Sequence, residues 1–431
     1  MKKKAAVFLT ALLAFAILFQ FTPQKGYAWL IFDRQKDKPS APRALSKKKP
    51  VLAPVPTPAP EPVPEPTPAP APALEPSPAP APEPSSALSP APAPASAPTP
   101  ALQSRNLKPA AALNREVIGF YTHDWAGDTA SQLSLNTYGA KMSGVATFSF
   151  QLKADGTFDG TVPAGAIEKA HTSGGKALVL VHNCINGSFD RNLLHSVLSD
   201  AALRVKAGDN ILSIIEKNGF DGVNIDLENV SSTDRAVFTG FVSELSELLH
   251  KNGYIVTISV PAKTYDATTG WGGAFDYKAI GVAVDRMMLM TYDEHWFGGP
   301  PGPVASVGWV EKVIKYTVSQ VPAEKVLLGL GMYGYDWEVA AGKTTRAVSS
   351  VKALQTASQY GAAIKWDSTA QVPYYYYTVN GIQHVVWFES NNSAEFKINL
   401  VNRYNLAGVA IWKLGYENAG FWQMIDKKFA K

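Results

Sequence analysis

The fold is decided by a short stretch near the middle of the chain, FDGVNIDLENV, which runs from Phe220 to Val230. Apolar and polar side chains alternate along it, and the polar ones are Asn224, Asp226 and Glu228. Side chains that alternate in this way lie on opposite faces of a β-strand. The stretch therefore predicts a strand that buries an apolar face and presents an amide and two carboxylates on the other.

Seven other β-rich apolar runs accompany this strand, and helical or polar segments separate them. The eight runs cover residues 117–123, 144–152, 176–183, 222–228, 255–262, 286–293, 326–334 and 408–415. One intervening segment, 234–253, begins with an acidic residue and ends with glycine, as capped helices do. Eight strand–helix units are typical of an α/β fold, the (β/α)8 TIM barrel, which we assign to residues 114–431.

A longer segment separates the last two predicted strands. It contains PYYYYTVNGIQHVVWFES, in which aromatic runs flank Asn380 and Gly381. An Asn-Gly pair between two such runs is a strong hairpin signal. We predict a small α+β insertion there, at about residues 337–392.

The composition excludes several classes of protein. The chain has 431 residues, a net charge of +4 and one cysteine, Cys184. A single cysteine excludes an intramolecular disulfide framework and a cysteine-based zinc cluster. No catalytic signature surrounds Cys184, so we expect a small buried side chain. Many basic residues lie before residue 50, which argues against a nucleic-acid-binding surface on the barrel.

Residues 1–28 have the form of a secretory signal peptide. Three lysines precede an apolar run, AAVFLTALLAFAILFQF, and a short segment, KGYA, ends at Ala28. This order of charged, apolar and small residues favours export with cleavage after Ala28. An uncleaved membrane anchor is the alternative, although the apolar run is short for a membrane span.

Residues 29–113 are basic and proline-rich, and we predict a disordered linker. The basic part lies within residues 34–49, and a proline-rich repeat follows from Pro50 to about Pro100. Such a composition cannot bury a core and favours an extended polyproline II spacer. The basic part is either a solvated tail or a contact with anionic polymers of the cell envelope. Signal and spacer together predict a secreted or envelope-associated protein.

The two carboxylates of the opening stretch point to acid–base chemistry. Asp226 and Glu228 would lie roughly 6.6 Å apart along an extended strand. In a TIM barrel the carboxyl ends of the strands carry the active site, and Glu228 ends the fourth strand. Two carboxyl groups in a partly dry cleft do not both ionise easily, so the pKa of one rises. A carboxylic acid then remains available near neutral pH as a general acid.

Two other interpretations of these acids are structural. The first is a hydrogen-bonded pair that only stabilises the fold. The second is a calcium site, but the apolar residues between the acids and the missing turn glycine do not fit an EF-hand loop. We expect no metal ion and no cofactor.

Three motifs in the chain resemble those of glycoside hydrolase family 18, the chitinase-type barrels. Residues 221–228, DGVNIDLE, resemble the DGxDxDxE signature of that family. MTYDEHW at 290–296 resembles its strand-six motif, and GVAIWKLGYEN at 408–418 resembles its strand-eight motif. Within the family the pattern is most similar to bacterial spore-germination and cell-wall glycosidases, in which HVVWFES at 384–390 has counterparts.

The resemblance implies substrate-assisted retaining catalysis, an exception to the usual two-carboxylate scheme. Glu228 would protonate the leaving oxygen, and the substrate's own acetamido oxygen would attack the anomeric carbon. Asp226 would hold the acetamido N–H, and Tyr292 would bond its carbonyl oxygen. Asn224 stands where the family commonly has aspartate, and an amide can hydrogen-bond Asp226 but cannot share a proton with it.

Further residues at the strand ends are predicted to bind the sugar. Trp412 would form the apolar floor beneath it, because aromatic rings stack on the C–H faces of pyranose rings. Trp125, Trp271, Trp296 and Trp337 follow strand ends and would widen this aromatic surface. The remaining predicted substrate-binding residues are Tyr121, Asp221, Asn224, Met290 and Asp293. For His182 and Asn183, a structural role and a cleft-lining role are equally supported. Trp309, Trp366 and Trp422 are expected in the core.

These features predict a secreted, monomeric glycosidase that cleaves β-1,4 bonds next to N-acetylglucosamine in peptidoglycan or spore cortex. A chitinase that acts on chitin oligomers is one alternative. A sugar-binding barrel without turnover is another, although such barrels usually lose the acid that Glu228 supplies. All three functions involve an N-acetylated polysaccharide and no nucleic acid.

Overall fold

The computed structural model describes residues 114–429, and the predicted signal peptide and linker lie outside these residues. Eight parallel strands form a closed barrel, in which each strand pairs with the next and the eighth pairs with the first. The strands are β1 Glu116–Tyr121, β2 Gly144–Leu152, β3 Lys176–His182, β4 Gly222–Asp226, β5 Ile255–Pro261, β6 Arg286–Met290, β7 Val326–Gly331 and β8 Gly408–Trp412. The predicted (β/α)8 barrel is confirmed.

Helices cover the outside of the barrel, apart from the helix at Ser350–Gln359, which packs on the insertion between β7 and β8. They are α1 Ala130–Tyr138, α2 Ala164–Thr172, α3 Arg191–Ser199, α4 Ala201–Asn218, α5 Arg235–Lys251, α6 Tyr277–Ala283, α7 Val307–Val318, α8 Ser350–Gln359, α9 Asn391–Arg403 and α10 Ala419–Phe429. The predicted helix at 234–253 corresponds to α5. The carboxylate of Asp234 does not cap α5 but accepts a hydrogen bond from Nδ1 of His195 at 3.0 Å. Between residues 114 and 429, no helix has the length and apolar content of a membrane span.

The two faces of β4 lie in different environments, as the alternation predicts. Its outward side chains belong to the apolar layer between barrel and helices, and they continue past the strand end: Val223, Ile225 and Leu227. The inward side chain of Asn224 is fully buried inside the barrel. The barrel interior is otherwise filled by Ile118, Phe120, Ala146, Leu178, Leu180, Ile255, Met288, Leu327 and Ala410.

The insertion between β7 and β8 is a five-stranded antiparallel sheet with α8 packed on one face. Its strands are Tyr333–Glu338, Lys343–Ser349, Lys365–Asp367, Val372–Val379 and Ile382–Phe388. The predicted hairpin turn is present, with φ of 52° at Asn380 and 80° at Gly381. The sheet begins at Tyr333 rather than near residue 337, because only Met332 separates it from β7 and the sequence shows no break there.

The other face of this sheet covers the mouth of the barrel. Tyr333, Tyr335 and Trp337 pack in one apolar cluster with Tyr292, which follows β6. The insertion therefore forms one wall beside the carboxyl ends of the barrel strands. Trp337 was predicted to face the sugar, but it is fully buried in this cluster and donates from Nε1 to the carbonyl of Gly299 at 3.1 Å.

Candidate active site

Glu228 lies just beyond the end of β4, and a buried amide holds its backbone in place. Nδ2 of Asn183 donates to the carbonyl of Glu228 at 3.0 Å, and the Glu228 N–H donates to Oδ1 of Asn183 at 2.9 Å. Asn183 follows β3 and is fully buried. It therefore connects two neighbouring strand ends and fixes the position from which the Glu228 side chain projects. Its role is positioning, which the sequence left open.

Asp226 and Glu228 are both buried, with 4 % and 7 % of their surfaces exposed. Burial raises the pKa of Glu228 well above its usual range, and the charges of Asp226 and Asp293 raise it further. Burial also raises the pKa of Asp226. A raised pKa favours the protonated form of Glu228, which is the state that a general acid requires.

A cavity, here called the inner compartment, contains the two acids. Trp412 lies at its base, with its ring edge-on to Phe120 at 5.3 Å and to Phe148 at 6.1 Å. The complete lining is Phe120, Phe148, Cys184, Phe189, Asp226, Glu228, Ser259, Met290, Tyr292 and Trp412. The compartment combines an aromatic floor with a few convergent polar groups, as sugar sites do.

A second and wider cavity, here called the outer compartment, is also lined by Glu228. Its lining is Glu228, Pro261, Ala262, Trp271, Met290, Tyr292, Asp293, Trp296, Phe297 and Trp309. Three of these residues, Glu228, Met290 and Tyr292, line both compartments. The general-acid candidate thus stands at the boundary between two binding spaces.

Tyr292 occupies this boundary because β7 leaves room for its ring. A Cβ atom on Gly329 or Gly331 would lie 3.1 Å from atoms of the Tyr292 side chain. Burial and the neighbouring carboxylates raise the pKa of Tyr292 well above its usual value. Its hydroxyl therefore keeps its proton and can donate a hydrogen bond to a substrate oxygen.

Asp293 is held in an unusual backbone conformation, with φ of 63°. Its Oδ1 accepts hydrogen bonds from the hydroxyls of Tyr333 at 2.5 Å and Tyr335 at 2.9 Å. Its Oδ2 is buried without a hydrogen-bond partner among the described residues. Burial raises the pKa of Asp293 to about 7. Asp293 itself lines the outer compartment.

Asp221 was predicted to bind substrate, and the structure places it outside both compartments. Asp221 precedes β4, so it lies at the end of the strand opposite the acids. Its carboxylate accepts hydrogen bonds from His171 Nε2 at 2.8 Å, from Lys176 Nζ at 2.8 Å and from the N–H of Ala177 at 2.9 Å. Its role is to connect the start of β4 to β3 and α2.

Tyr121 and Asn224 were also predicted to bind substrate, and neither lines the cavities. Alternation along β1 directs Phe120 into the barrel and Tyr121 outwards, where its hydroxyl donates to Gln132 on α1 at 3.2 Å. Asn224 lies below the inner compartment and is fully buried. Its amide donates to Thr257 at 2.9 Å and accepts from Ser259 at 3.0 Å. It therefore supports the site from beneath.

The predicted tryptophans divide between the site and other places. Trp412, Trp296 and Trp271 line the compartments, whereas Trp125 is 48 % exposed in the loop after β1 and lines neither. Trp309, expected in the core, lines the outer compartment from the first turn of α7.

Several lining residues were not predicted, and two of them contact other site residues. Ser259 and Phe148 both line the inner compartment. Ser259 lies on β5, where alternation with the apolar residues around it marks an inward position. Phe148 lies on β2 and stacks on His182, with ring centroids 4.1 Å apart. Neither residue belongs to a sequence motif that marks a functional site, so the sequence alone did not identify them.

Comparison with known proteins agrees with this geometry. The sequence profile of the glycosyl hydrolases family 18 matches residues 117–417. The chain belongs to glycosyl hydrolase family 18. It is therefore a glycoside hydrolase, and the resemblance inferred from its motifs is confirmed. Within residues 114–429, no group of three histidine, cysteine or acidic side chains is arranged to hold a metal ion.

Similar proteins of this family include enzymes of bacterial spores and chitinases. A cortical fragment-lytic enzyme of Bacillus anthracis is 34 % identical over 291 residues, which cover 66 % of this chain and 67 % of that one. The spore cortex-lytic enzyme SleL of Bacillus cereus superposes with a TM-score of 0.69 at 31 % identity, covering 73 % of this chain and 74 % of that one. A chitinase from Chromobacterium violaceum has a TM-score of 0.68 at 29 % identity, covering 73 % and 98 %.

Proposed function

We propose that this family 18 hydrolase cleaves the β-1,4 bond that follows N-acetylglucosamine in spore-cortex peptidoglycan, by substrate-assisted retaining catalysis. The observation that carries the mechanism is the convergence of Glu228, Asp226 and Tyr292 on one compartment floored by Trp412. The similarity to cortex-lytic enzymes supports the choice of polymer.

In the proposed reaction, N-acetylglucosamine lies in the inner compartment above Trp412. Glu228 gives its proton to the glycosidic oxygen, and the bond from this oxygen to the anomeric carbon breaks. The acetamido oxygen of the same sugar forms a bond to that carbon, which produces an oxazolinium ion. Asp226 holds the acetamido N–H, and Tyr292 donates to the acetamido oxygen before it attacks.

The second half of the reaction restores the enzyme. Glu228, now ionised, takes a proton from a water molecule that attacks the anomeric carbon. The oxazolinium ring opens, and the sugar leaves with its original configuration. Burial, which raises the pKa of this carboxyl, favours its protonated form before the first step and makes its carboxylate a stronger base for water in the second.

Mass spectrometry of products tests the substrate. Cortex fragments, vegetative peptidoglycan and chitin oligomers would be incubated with the purified protein. Products that end in reducing N-acetylglucosamine are expected from cortex fragments. Products that end in reducing muramic acid would contradict the proposed bond.

A thiazoline analogue of the oxazolinium ion tests the mechanism. It should inhibit competitively, because it resembles the intermediate and the transition states beside it. Asp226→Ala should weaken both turnover and inhibition, and Tyr292→Phe should weaken them less, through loss of a hydrogen bond worth about 0.5–1.5 kcal/mol. A glycosyl ester trapped on any carboxylate of the chain would contradict the proposal and support an ordinary two-carboxylate mechanism.

A chitinase activity is the second candidate. The observation that favours it is the similarity to the Chromobacterium violaceum chitinase over nearly the whole length of that enzyme. Rapid cleavage of chitin oligomers with slow cleavage of cortex fragments would support it.

We also propose that the protein acts outside the cytoplasm. The signal-like residues 1–28 and the proline-rich spacer support this, and the basic residues within 34–49 suit contact with an anionic envelope. Sequencing the N-terminus of the protein recovered from the producing cells tests it. An N-terminus at Trp29 is expected after cleavage, while an intact Met1 in the membrane fraction would indicate an anchor.

A further inference from the structure

The amide of Asn224 is held in one orientation beneath the inner compartment. Its Nδ2 donates to Oγ1 of Thr257 at 2.9 Å and to the sulfur of Met288 at 3.4 Å. Thr257 gives its own proton to the carbonyl of Val223 at 3.0 Å, and a thioether sulfur has no proton to give. Both neighbours on this side of the amide therefore only accept. The oxygen of Asn224 must lie on the other side, toward Ser259.

This orientation fixes the hydroxyl proton of Ser259. An amide oxygen carries no proton, so Oγ of Ser259 is the donor in its 3.0 Å hydrogen bond to Oδ1 of Asn224. A serine hydroxyl has one proton, which is thereby committed. Ser259 lines the inner compartment, and it presents an acceptor there. Ser259, Asn224 and Thr257, here called the support chain, thus donate in one direction, away from the compartment.

Asp226 is the acid beside this acceptor. Thr257 on β5 is aligned with Asn224 on β4, so Ser259 and Asp226, each two residues further on, are neighbours. Both line the inner compartment. A carboxylate and a hydroxyl whose proton points elsewhere repel each other, whereas a protonated carboxyl donates to the hydroxyl oxygen. The support chain therefore favours the protonated form of Asp226.

The other ionisable groups around Asp226 do not oppose this. They come from its own strand end, from β3 and from β6: Glu228, His182, Cys184 and Tyr292. Burial lowers the pKa of His182 to about 4, so its ring is uncharged near neutral pH. No lysine or arginine lines the inner compartment within residues 114–429. A carboxylate at Asp226 would therefore have no cation beside it, and burial raises its pKa further.

We infer that Ser259 is a positioning residue, which accepts the proton of the neutral Asp226 carboxyl and holds this side chain in one orientation in the free protein. Asn224 acts through Ser259, because its own hydrogen bonds go to Thr257, Met288 and Ser259 and not to Asp226. A neutral amide at position 224 thus controls Asp226 by setting the direction of the support chain.

The consequence for catalysis rests on the proposed function. The oxazolinium ion is positively charged, and a carboxylate at Asp226 stabilises it better than a neutral carboxyl does. Asp226 must therefore release its proton to solvent before this charge develops. The acidic limb of kcat/KM should follow that ionisation.

A carbon-13 NMR titration of the aspartate carboxyl groups tests the inference without turnover. The parent for this test is Glu228→Gln, which removes the acid whose titration is coupled to that of Asp226. Adding Ser259→Ala should lower the pKa of Asp226 by roughly half a pH unit to one pH unit, because the neutral carboxyl loses its acceptor. A serine that donated to the carboxylate would give the opposite sign. A higher or unchanged pKa would overturn the inference.

A matched pair at Thr257 tests the direction of the support chain. Thr257→Val keeps the shape but removes the acceptor of the Asn224 amide. The amide can then turn and donate to Ser259, whose proton becomes available to Asp226. The pKa of Asp226 should fall at least as far as in Ser259→Ala, whereas Thr257→Ser, which keeps the hydroxyl, should leave it unchanged. The same pKa in both Thr257 variants would contradict the inference.

The double variant shows whether the effect passes through Ser259. In the Ser259→Ala background, Thr257→Val should produce no further change in the pKa of Asp226, because the support chain reaches Asp226 only through the serine. Additive changes would contradict this order of contacts.

Neutron diffraction locates the proton in the unmodified protein, so this test does not depend on how the variants fold. The deuterium of the Ser259 hydroxyl is expected on the line to Oδ1 of Asn224. A deuterium directed from Ser259 toward Asp226 would overturn the inference.

Kinetics separates this inference from the proposed function. With Glu228 intact, Ser259→Ala should move the acidic limb of kcat/KM to lower pH, in the direction of the NMR result. Absence of turnover on every substrate by the unmodified protein would contradict the proposed function. The titration and the position of the serine proton would then still decide the inference, since neither requires turnover.

Discussion

Single side chains in this site differ in role because their surroundings differ. Asp226 and Glu228 are two residues apart, yet Glu228 lines both compartments and Asp226 lines one. Position alone therefore separates the group that reaches the leaving oxygen from the group that faces the acetamido side. Asp293 adds a third buried carboxyl, whose charge raises the pKa of Glu228.

Replacement of the acid gives the simplest prediction. Glu228→Gln keeps the shape of the side chain but cannot donate a proton, so kcat should fall by about 10²–10⁴-fold. Binding of short oligosaccharides should be retained. Steady-state kinetics on an unactivated substrate, with calorimetry as the control for binding, checks this. A kcat close to that of the unmodified protein would show that another group supplies the proton.

The charge of Asp293 predicts a shift in the pH profile. This charge raises the pKa of Glu228, so Asp293→Asn should lower it. Glu228 would then lose its proton at lower pH, and the alkaline limb of kcat/KM should move to lower pH. The asparagine can still accept the hydrogen bonds of Tyr333 and Tyr335, so folding should be preserved. An alkaline limb that stays in place would separate Asp293 from the acid.

Two neighbouring strand ends hold the acid through one amide. Asn183 follows β3 and binds both backbone groups of Glu228, which itself follows β4. The parallel register brings these ends together, since His182 is aligned with Asp226. On the other side, glycines in β7 make room for Tyr292. The ends of β3 and β4 thus hold the acid in place, and the glycines of β7 leave space for the ring of Tyr292.

Removal of this amide should cost both activity and stability. Asn183→Ala leaves the N–H and carbonyl of Glu228 without these partners, and each buried unpaired group costs about 1–3 kcal/mol. We expect a lower melting temperature and a fall in kcat of roughly 10-fold or more, because even a small displacement of a catalytic group slows the chemical step. Thermal unfolding and initial rates measure the two effects.

A matched substitution separates the two hydrogen bonds. Asn183→Asp keeps an acceptor for the Glu228 N–H but has no donor for its carbonyl while ionised. Its loss of activity should lie between those of the unmodified protein and the alanine variant. Full activity in Asn183→Ala would show that the amide does not position the acid.

The pairing of the first strand with the last closes the barrel. β1 pairs with both β2 and β8, and the buried ion pair between Glu116 on β1 and Arg286 on β6 lies within the closed structure. The whole profile match, residues 117–417, falls inside the described residues 114–429. The chemistry therefore resides in this part of the chain.

Truncation tests the independence of the barrel from the preceding residues. A variant that begins at about residue 108 should match the full protein in kcat/KM on short soluble oligosaccharides, since proline-rich sequence has few side chains that could build a site. The two proteins should differ only on cell-envelope material, if the spacer acts there. A large loss on short substrates would show that the preceding residues contact the site.

Local patterns in the sequence were sufficient to predict the barrel architecture and the two carboxyl groups of the site. Short apolar, β-rich runs identified all eight barrel strands, because a parallel strand buried on both sides has a strong apolar signal. The DGVNIDLE stretch identified Glu228 and Asp226, since strand direction decides which end meets the active site. The Asn-Gly pair located the hairpin of the insertion.

Only the tertiary structure decided which of the flanking residues face the substrate. Tyr121 and Asp221 belong to the correct strands, but one points outwards and the other lies at the far end. Asn183, Ser259 and the division into two compartments depend on contacts between strands that are distant in sequence. Alternation and strand order are local properties that a sequence carries, whereas the charge and shape of a cavity arise from side chains that meet only when the barrel closes.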